Sequence, residues 1–235
     1  FASRGMVAAT VTYRLRTKED RAALPEGQST KRVCIPYVKS AIRWFKQHAK
    51  ELGVDPNRIV AGGGSAGGHL AALMGLTEGN AAYQPGFESA DTSVQAVIAI
   101  YGIYDVTNRL GEQSPQFVPM LMQPIVIKAF LSEEPDKFRE ASPIDRVHAR
   151  VPPFQVVQGD RDTLAPVLDT RAFVERLRDE SESRVVYMEF PSAQHVFDMI
   201  YSYRSARMIE GVTAFLHAAQ EWNREDDDAI PPATM

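Results

Sequence analysis

Short apolar runs rich in β-branched residues recur along the chain, separated by longer segments with a single apolar face. An unbroken apolar run of this length is typical of a strand that is buried on both faces of a sheet. The predicted strands cover residues 6–13, 58–63, 94–101, 154–157 and 184–190.

The segments between these runs have helical spacing. Apolar residues from Val38 to Leu52 recur along one helical face, and Gly53 follows them as a helix-ending residue. Lys39 and the other basic residues of this segment are predicted to face solvent. Further helices are predicted at 66–76, 167–177 and 208–219, and a charged loop at 17–30. Helices that alternate with strands predict an α/β fold with a mostly parallel sheet, covered on both faces.

Residues 105–150, called the insertion below, interrupt this alternation. The segment is rich in Met, Pro and Phe and has no strand pattern, so we predict that it is helical. Extra core packing is one interpretation of it. A cap over a binding site is the favoured interpretation, because Met and aromatic side chains adapt to apolar ligands.

Composition narrows the classes of function. The 235 residues, 44% of them hydrophobic and 24% charged, suit one folded domain of ordinary size. The formal net charge of −4 argues against nucleic acid or an anionic membrane surface as the main partner. No apolar run approaches the ~18–20 residues of a membrane span. The single cysteine, Cys34, cannot form an internal disulfide, and it favours a reducing, cytoplasmic location.

The stretch Gly63-Gly64-Ser65-Ala66-Gly67 matches the pattern G-x-S-x-G. Between a strand and a helix, this pattern is typical of a tight turn that lifts the serine hydroxyl above the sheet. Gly63 and Gly67 are expected to need the absence of a Cβ in such a turn. The following helix directs free N–H groups at the hydroxyl, so the Ala66 N–H is a predicted oxyanion donor. A phosphate-binding loop is the alternative, but the motif lacks the lysine of a P-loop.

A serine hydroxyl needs a base to become a nucleophile, and the base needs a carboxylate to orient it. His195 is the candidate base because, of the five histidines, it alone lies in a loop directly after a predicted strand. His69 is predicted to be a packing residue. The acid should follow the 154–157 strand, where Asp162 precedes an apolar helix start. Asp162 is therefore preferred to Asp160, which is expected to bond loop N–H groups or the neighbouring arginine.

The serine motif, the loop that contains Asp162 and the loop that contains His195 together resemble those of the hormone-sensitive-lipase-like esterases of the α/β-hydrolase superfamily. The resemblance implies a three-layer α/β-hydrolase sandwich, with Ser65 as nucleophile, Asp162 as acid and His195 as base. It also implies hydrolysis of carboxylic esters without a cofactor or a metal. The similar stretches are Asp55-Pro56-Asn57-Arg58-Ile59, Gly64-Ser65-Ala66-Gly67-Gly68, Ala141-Ser142-Pro143, residues 159–166 and Gln194-His195-Val196-Phe197.

The expected partner is a small-molecule ester, and the sequence leaves open whether the protein forms a homodimer. An amidase or arylformamidase with the same triad is one alternative. A non-catalytic binding protein of the hydrolase fold is another, although such proteins typically lose a triad residue and this chain has all three. The predicted layout is a hydrolase core at 1–104 and 151–222, the insertion at 105–150 and a flexible tail at 223–235. Substrate contacts are predicted at Gly64, Met120, Met122 and Val196.

The chain departs from the family pattern in three places, one of which is Tyr37, where relatives often carry an aspartate near the start of the first helix. The family usually has an acidic residue before the nucleophile, where this chain has Gly64. Its His-Gly-Gly-Gly oxyanion motif belongs upstream of the 6–13 strand, and Phe1 follows that position. We therefore expect this chain alone to be an incomplete enzyme, with a gap in the sheet beside the 58–63 strand.

Overall fold

A parallel sheet of four strands forms the centre of the described structure. The computed structural model describes residues 1–13, 34–127 and 129–229, with backbone only at 124, 125 and 223–229. All neighbouring strands pair in parallel, and the predicted α/β fold is confirmed. In spatial order the strands are β1 (Val60–Gly64), β2 (Ala96–Ile100), β3 (Phe154–Gly159) and β4 (Val185–Phe190).

Helices cover both faces of this sheet. Because side chains alternate along a strand, each strand contributes to two apolar clusters. Val97 and Phe154 pack with the helices at Cys34–Gln47, Ala66–Leu76 and Val167–Glu180, whereas Ile98 and Val157 pack with the helix at Tyr203–Ala229 on the other face. The helices are α1 (Cys34–Gln47), α2 (Ala49–Leu52), α3 (Ala66–Leu76), α4 (Pro135–Ala141), α5 (Val167–Glu180) and α6 (Tyr203–Ala229).

The carboxyl ends of the four strands meet at one edge of the sheet. Gly64 of β1 pairs with Ile100 of β2, and Gly159 of β3 pairs with Phe190 of β4. The segments that follow these strands therefore emerge side by side. Ligands of open α/β sheets bind at this edge.

Residues 6–13 do not form the predicted strand. In the described structure their backbone pairs with no strand, and Val7 is 67% exposed. An apolar run becomes a buried strand only beside other strands and under a covering layer. Among the described residues, however, β1 has a strand neighbour only on its β2 side.

Lys39 is buried, although the sequence pattern predicted that it faces solvent. Its Nζ donates hydrogen bonds to the Thr77 carbonyl oxygen at 2.6 Å, Thr92 Oγ1 at 3.3 Å and Gln84 Oε1 at 3.4 Å. Burial lowers the pKa of Lys39 to about 8. The apolar spacing located the face of α1 that packs into the apolar cluster with α3, but Thr77, Gln84 and Thr92 contact a second face of the helix.

The insertion contains no strand within its described residues. It has a π-helical segment at Phe117–Ile127, followed by α4 and a 3₁₀ turn at Pro143–Arg146. Its apolar side chains, including Met122 and Phe138, form a cluster separate from the two clusters on the sheet. The insertion thus has a small core of its own.

The end of the chain is helical for longer than predicted. Helix α6 continues through Ala229, well beyond the end predicted at residue 219. Residues 223–229 include no Pro or Gly, and Pro231 is the first helix-breaking residue after them. No helix within the described ranges has the length and apolar character that crossing a bilayer requires. The loop predicted at 17–30 lies outside the described residues.

Candidate active site

Ser65 occupies the turn between β1 and α3. Its φ of 55° and ψ of −120° lie in a backbone region that residues other than glycine rarely adopt. Holding such a conformation costs about 1–3 kcal/mol. Its backbone N–H donates to the Ile100 carbonyl oxygen at 3.0 Å, which ties the turn to β2. A Cβ on Gly63 would lie 2.6 Å from the Gly67 carbonyl carbon. The turn is therefore as tight as the glycine pattern predicts.

After Ser65, the residue that must lack a Cβ is Gly68 and not, as was expected, Gly67. A Cβ on Gly67 would meet no described atom within 4 Å, so the prediction that residue 67 must lack a Cβ is wrong. A Cβ on Gly68 would lie 2.7 Å from the Ile100 carbonyl oxygen. Gly68 faces β2 because α3 crosses the sheet there, whereas Gly67 faces away.

The structure brings Ser65, His195 and Asp162 into one hydrogen-bonded row. His195 Nε2 lies 2.9 Å from Ser65 Oγ, across 130 residues of sequence. His195 Nδ1 lies 2.7 Å from Asp162 Oδ2. The His195 side chain is 14% exposed and that of Asp162 is fully buried. The three residues follow β1, β4 and β3 respectively, as the sequence predicted.

Backbone and side-chain donors fix the Asp162 carboxylate. Its Oδ1 accepts from the N–H groups of Leu164 at 2.9 Å and Ala165 at 2.8 Å. Its Oδ2 also accepts from Gln158 Nε2 at 3.2 Å. Sequence reasoning missed Gln158, although a fully buried polar residue inside an apolar strand is a signal, because such a group needs partners.

Asp160 joins the acid loop to the histidine loop. Its Oδ1 accepts from the Ser192 N–H at 2.6 Å, which is the loop N–H role expected for it. The backbones also meet directly, since the Arg161 N–H donates to the Ala193 carbonyl oxygen at 3.0 Å. Asp160 thus lies outside the row that reaches Ser65.

Tyr101, another residue that sequence reasoning missed, packs against the histidine from the end of β2. Its ring centroid lies 4.8 Å from that of His195, and its hydroxyl donates to the Asp198 carboxylate. A Cβ on Gly64 would lie 2.8 Å from both Cε2 and the hydroxyl oxygen of Tyr101. Gly64, a predicted substrate contact, thus leaves the space that Tyr101 fills. No periodic pattern marks Tyr101 because a strand-ending aromatic residue is common in buried strands.

The N-terminus of α3 points at the nucleophile. The first backbone bond that closes this helical turn runs from the His69 N–H to the Ser65 carbonyl oxygen at 3.0 Å. The N–H of Ala66, in the first turn, has no acceptor one turn back within the helix. The positive end of the helix dipole also lies there. Ala66 N–H is thus available to an anion beside Ser65.

His69 has the packing role that the sequence predicted. It lies half-buried one turn into α3, where its Nδ1 is 2.7 Å from the Ile103 carbonyl oxygen. Burial lowers the pKa of His69, so its imidazole is neutral near pH 7. Among the described residues no group of three or more His, Cys, Asp or Glu side chains is arranged to hold a metal ion.

The remaining predicted substrate contacts differ in exposure. Met120 is 66% exposed on the π-helical segment, whereas Met122 is buried in the insertion's own cluster. Val196, next to His195, is 39% exposed and has a φ of 55°. Met120 and Val196 are accessible to a ligand, and Met122 contributes to packing.

Comparisons with known proteins find a family model and curated relatives that match this chain. The BD-FAE family model matches residues 1–177. Among curated proteins of Mycobacterium tuberculosis, the probable carboxylic ester hydrolase LipM is 41% identical over 196 residues, which cover 82% of this chain and 45% of LipM. Esterase LipQ of the same organism is 42% identical over 179 residues, covering 76% of this chain and 42% of LipQ. The chain spans less than half the length of these relatives.

Solved structures share the fold. The apo form of Thermogutta terrifontis esterase 2 aligns with a TM-score of 0.63 and 27% identity, over 94% of this chain and 72% of that one. Its butyrate-bound form aligns with a TM-score of 0.61 and 26% identity, over 86% and 68%. These matches confirm the resemblance to hormone-sensitive-lipase-like esterases. The chain belongs to the BD-FAE family and has the α/β-hydrolase fold.

Proposed function

We propose that this protein is a serine esterase, which hydrolyses small carboxylic esters through an acyl-enzyme formed on Ser65. The observation that supports this function most strongly is the position of His195. One of its ring nitrogens lies 2.9 Å from Ser65 Oγ and the other 2.7 Å from Asp162 Oδ2. The esterase names of the relatives at 41% and 42% identity support the same reaction.

The surroundings of Asp162 determine which nitrogen of His195 accepts a proton. Backbone N–H groups donate to Oδ1 of the Asp162 carboxylate, and Oδ2 lies 2.7 Å from His195 Nδ1. An ionised carboxylate accepts the Nδ1–H of His195, so Nε2 is left with a lone pair toward Ser65. His195 is thereby held in the tautomer that a general base requires.

In the acylation half-reaction, Ser65 Oγ adds to the ester carbonyl carbon while His195 Nε2 accepts the hydroxyl proton. The Ala66 N–H donates to the oxyanion of the tetrahedral intermediate, a contribution of about 10²–10³ in rate for one such donor. Collapse of the intermediate breaks the bond to the alcohol. The departing alkoxide takes the proton from His195 and leaves an acyl group on Ser65.

In the deacylation half-reaction, water replaces the alcohol. His195 Nε2 accepts a proton from the water as its oxygen adds to the acyl carbon. The second tetrahedral intermediate then releases the carboxylic acid, and Ser65 Oγ regains its proton from His195. Asp162 stays ionised throughout and stabilises the imidazolium that forms twice in each cycle.

We infer that the insertion caps this site and selects short, apolar acyl groups. Its surface bears exposed apolar side chains, including Met120 at 66% and Phe130 at 61% exposure. A binding surface for apolar groups is a usual reason for such exposure. Thermogutta terrifontis esterase 2 has been solved with butyrate bound, which supports acyl groups of about this size.

The test is hydrolysis of p-nitrophenyl esters of increasing acyl length. Ser65→Ala should reduce turnover by several orders of magnitude, whereas Ser89→Ala, on an exposed loop, should not. A Ser65→Ala variant that kept more than about a tenth of the wild-type rate would remove the nucleophile assignment.

The same ester series tests the cap. Met120→Ala should shift the preferred acyl length with little change in melting temperature. Met122→Ala should instead destabilise the fold by about 2–5 kcal/mol, as expected for a buried methionine. An unchanged preference in Met120→Ala would return the insertion to a packing role.

A further inference from the structure

We propose that Tyr101 and Asp198 form a positioning pair, which holds the histidine loop against the nucleophile turn. The pair acts on His195 and so rests on the proposed function for its effect on turnover. Tyr101 follows β2 directly, and its backbone N–H donates to the Val157 carbonyl oxygen at 2.7 Å. The tyrosine backbone is therefore fixed to the centre of the sheet.

The Tyr101 side chain contacts both the histidine loop and the nucleophile turn. Its ring packs 4.8 Å from the His195 ring and 6.0 Å from the Phe197 ring, centroid to centroid. The edge of the same ring occupies the space beside Gly64, next to the nucleophile. A side chain at residue 64 would overlap with Tyr101 in its present position. This explains why glycine stands where the family usually has an acidic residue.

The hydroxyl of Tyr101 ties down the far side of the histidine loop. It donates to Asp198, three residues after His195. Burial and the negative charge of Asp198 raise the pKa of the Tyr101 hydroxyl, so it stays protonated and remains a donor. Tyr101 reaches the loop through an oriented hydrogen bond as well as through packing.

The loop needs a tie at this point for two reasons. Val196 adopts a φ of 55°, a conformation that β-branched residues rarely adopt. Beyond Asp198, the side chains of Met199 and Ile200 are 79% and 78% exposed, so they add little packing. Before His195, the loop is held by the Ser192 N–H bond to Asp160 at 2.6 Å. The Tyr101–Asp198 bond is the corresponding tie after it.

Neither residue lies in the row that transfers protons, so both are positioning residues. Loosening the loop should misplace His195 Nε2 relative to Ser65 Oγ. A small misplacement of a catalytic group lowers the rate of the chemical step, by about 10²-fold for 1 Å. Ground-state binding of the ester should change little, because neither the hydroxyl nor the carboxylate needs to touch the substrate.

The experiment is a double-mutant cycle on p-nitrophenyl butyrate hydrolysis. Tyr101→Phe and Asp198→Ala should each lower kcat by about tenfold with KM nearly unchanged, and the double variant should lose no more than either one. Asp198→Asn keeps an oxygen that accepts from Tyr101, so it should retain more of the rate. Tyr201→Phe, at an 87% exposed site, is the matched control. Multiplicative losses, or a lowered melting temperature with unchanged kcat, would overturn the pair.

A second readout needs no substrate. The Nδ1 proton of His195, hydrogen-bonded to Asp162, should give a downfield proton NMR signal that Tyr101→Phe and Asp198→Ala broaden and Tyr201→Phe does not. A signal as sharp in Tyr101→Phe as in wild type would contradict the positioning role. If the wild-type protein hydrolysed no ester but the signal still depended on Tyr101, the proposed function would fail and the pair would stand.

Discussion

Gln158 and His195 contact the same oxygen of Asp162. The Gln158 amide nitrogen lies 3.2 Å from Oδ2, and His195 Nδ1 lies 2.7 Å from it. Gln158 is itself held, because its amide donates to the Ala165 carbonyl oxygen at 2.7 Å and accepts from Thr170 Oγ1 at 3.1 Å. The amide thereby fixes the acid loop to the strand that precedes it.

We predict that Gln158→Leu impairs both stability and turnover. It removes a donor to Asp162 and leaves Thr170 and the Ala165 carbonyl without their partner, which costs about 1–3 kcal/mol per buried group. The acid also becomes less well oriented, so kcat should fall. Urea unfolding and p-nitrophenyl butyrate kinetics measure the two effects.

Gln155→Leu on the same strand is the matched control. Gln155 is also fully buried, but its Oε1 has no hydrogen-bond partner among the described residues and its amide nitrogen faces Met188 Sδ. Replacing it should leave kcat unchanged and be close to neutral for stability. Equal losses of kcat in the two variants would contradict a specific role of Gln158.

The two aspartates of the acid loop should differ sharply. Asp162→Asn should lower kcat by roughly 10³–10⁴-fold, because an amide cannot fix the tautomer of His195. Asp160→Asn keeps an oxygen that accepts from the Ser192 N–H and should cost far less, mainly in melting temperature. Steady-state kinetics with thermal unfolding separate these effects, and a reversed order would show that the wrong carboxylate was assigned.

The neighbouring glycines of α3 give a steric prediction. Gly68→Ala would force a Cβ to within 2.7 Å of the Ile100 carbonyl oxygen, and we expect a loss of about 1–3 kcal/mol in the free energy of unfolding. Gly67→Ala has open space at its Cβ and should be neutral or stabilise the helix by up to about 1 kcal/mol. Chemical denaturation measures both variants. Equal destabilisation would contradict the close approach of α3 to β2 at Gly68.

Lys39 gives a pH dependence of stability. Its folded pKa of about 8 lies below its ordinary 10.5 because of burial. Between these pH values the unfolded chain binds more protons at Lys39 than the folded chain does, so this group makes stability rise with pH.

The measurement is the free energy of unfolding of wild type minus that of Lys39→Met, followed from pH 7 to pH 10.5. The difference should be constant below about pH 8 and then rise in favour of wild type. Lys50→Met, at an exposed position of α2, should show no such rise. A flat difference for Lys39→Met would mean that its pKa is not lowered by burial.

Sequence patterns located a residue best where its position is set by the single strand that precedes it. Ser65, Asp162 and His195 each follow a strand that is apolar enough to be recognised alone, and parallel strands bring their carboxyl ends together. The strand expected at 6–13 was wrong because strand formation depends on neighbours that local composition cannot reveal.

Contacts between loops that are distant in the chain could not be predicted from the sequence patterns. The pairing of Tyr101 with Asp198 spans 97 residues and depends on the path of the loop after His195. Lys39 was misassigned for a similar reason, since helical periodicity identifies one apolar face but not a polar loop packed on another. Gln158 was detectable in principle, because an amide inside a buried strand needs partners that only the fold supplies.

The most direct test of the account is covalent trapping of the nucleophile. A p-nitrophenyl phosphonate transfers its phosphonyl group to an activated serine, and peptide mass spectrometry identifies the modified residue. We predict one adduct, on Ser65, formed much more slowly in His195→Ala and absent from Ser65→Ala. An adduct on a different residue, or labelling of Ser65→Ala as fast as wild type, would contradict the assignment of Ser65 as the nucleophile.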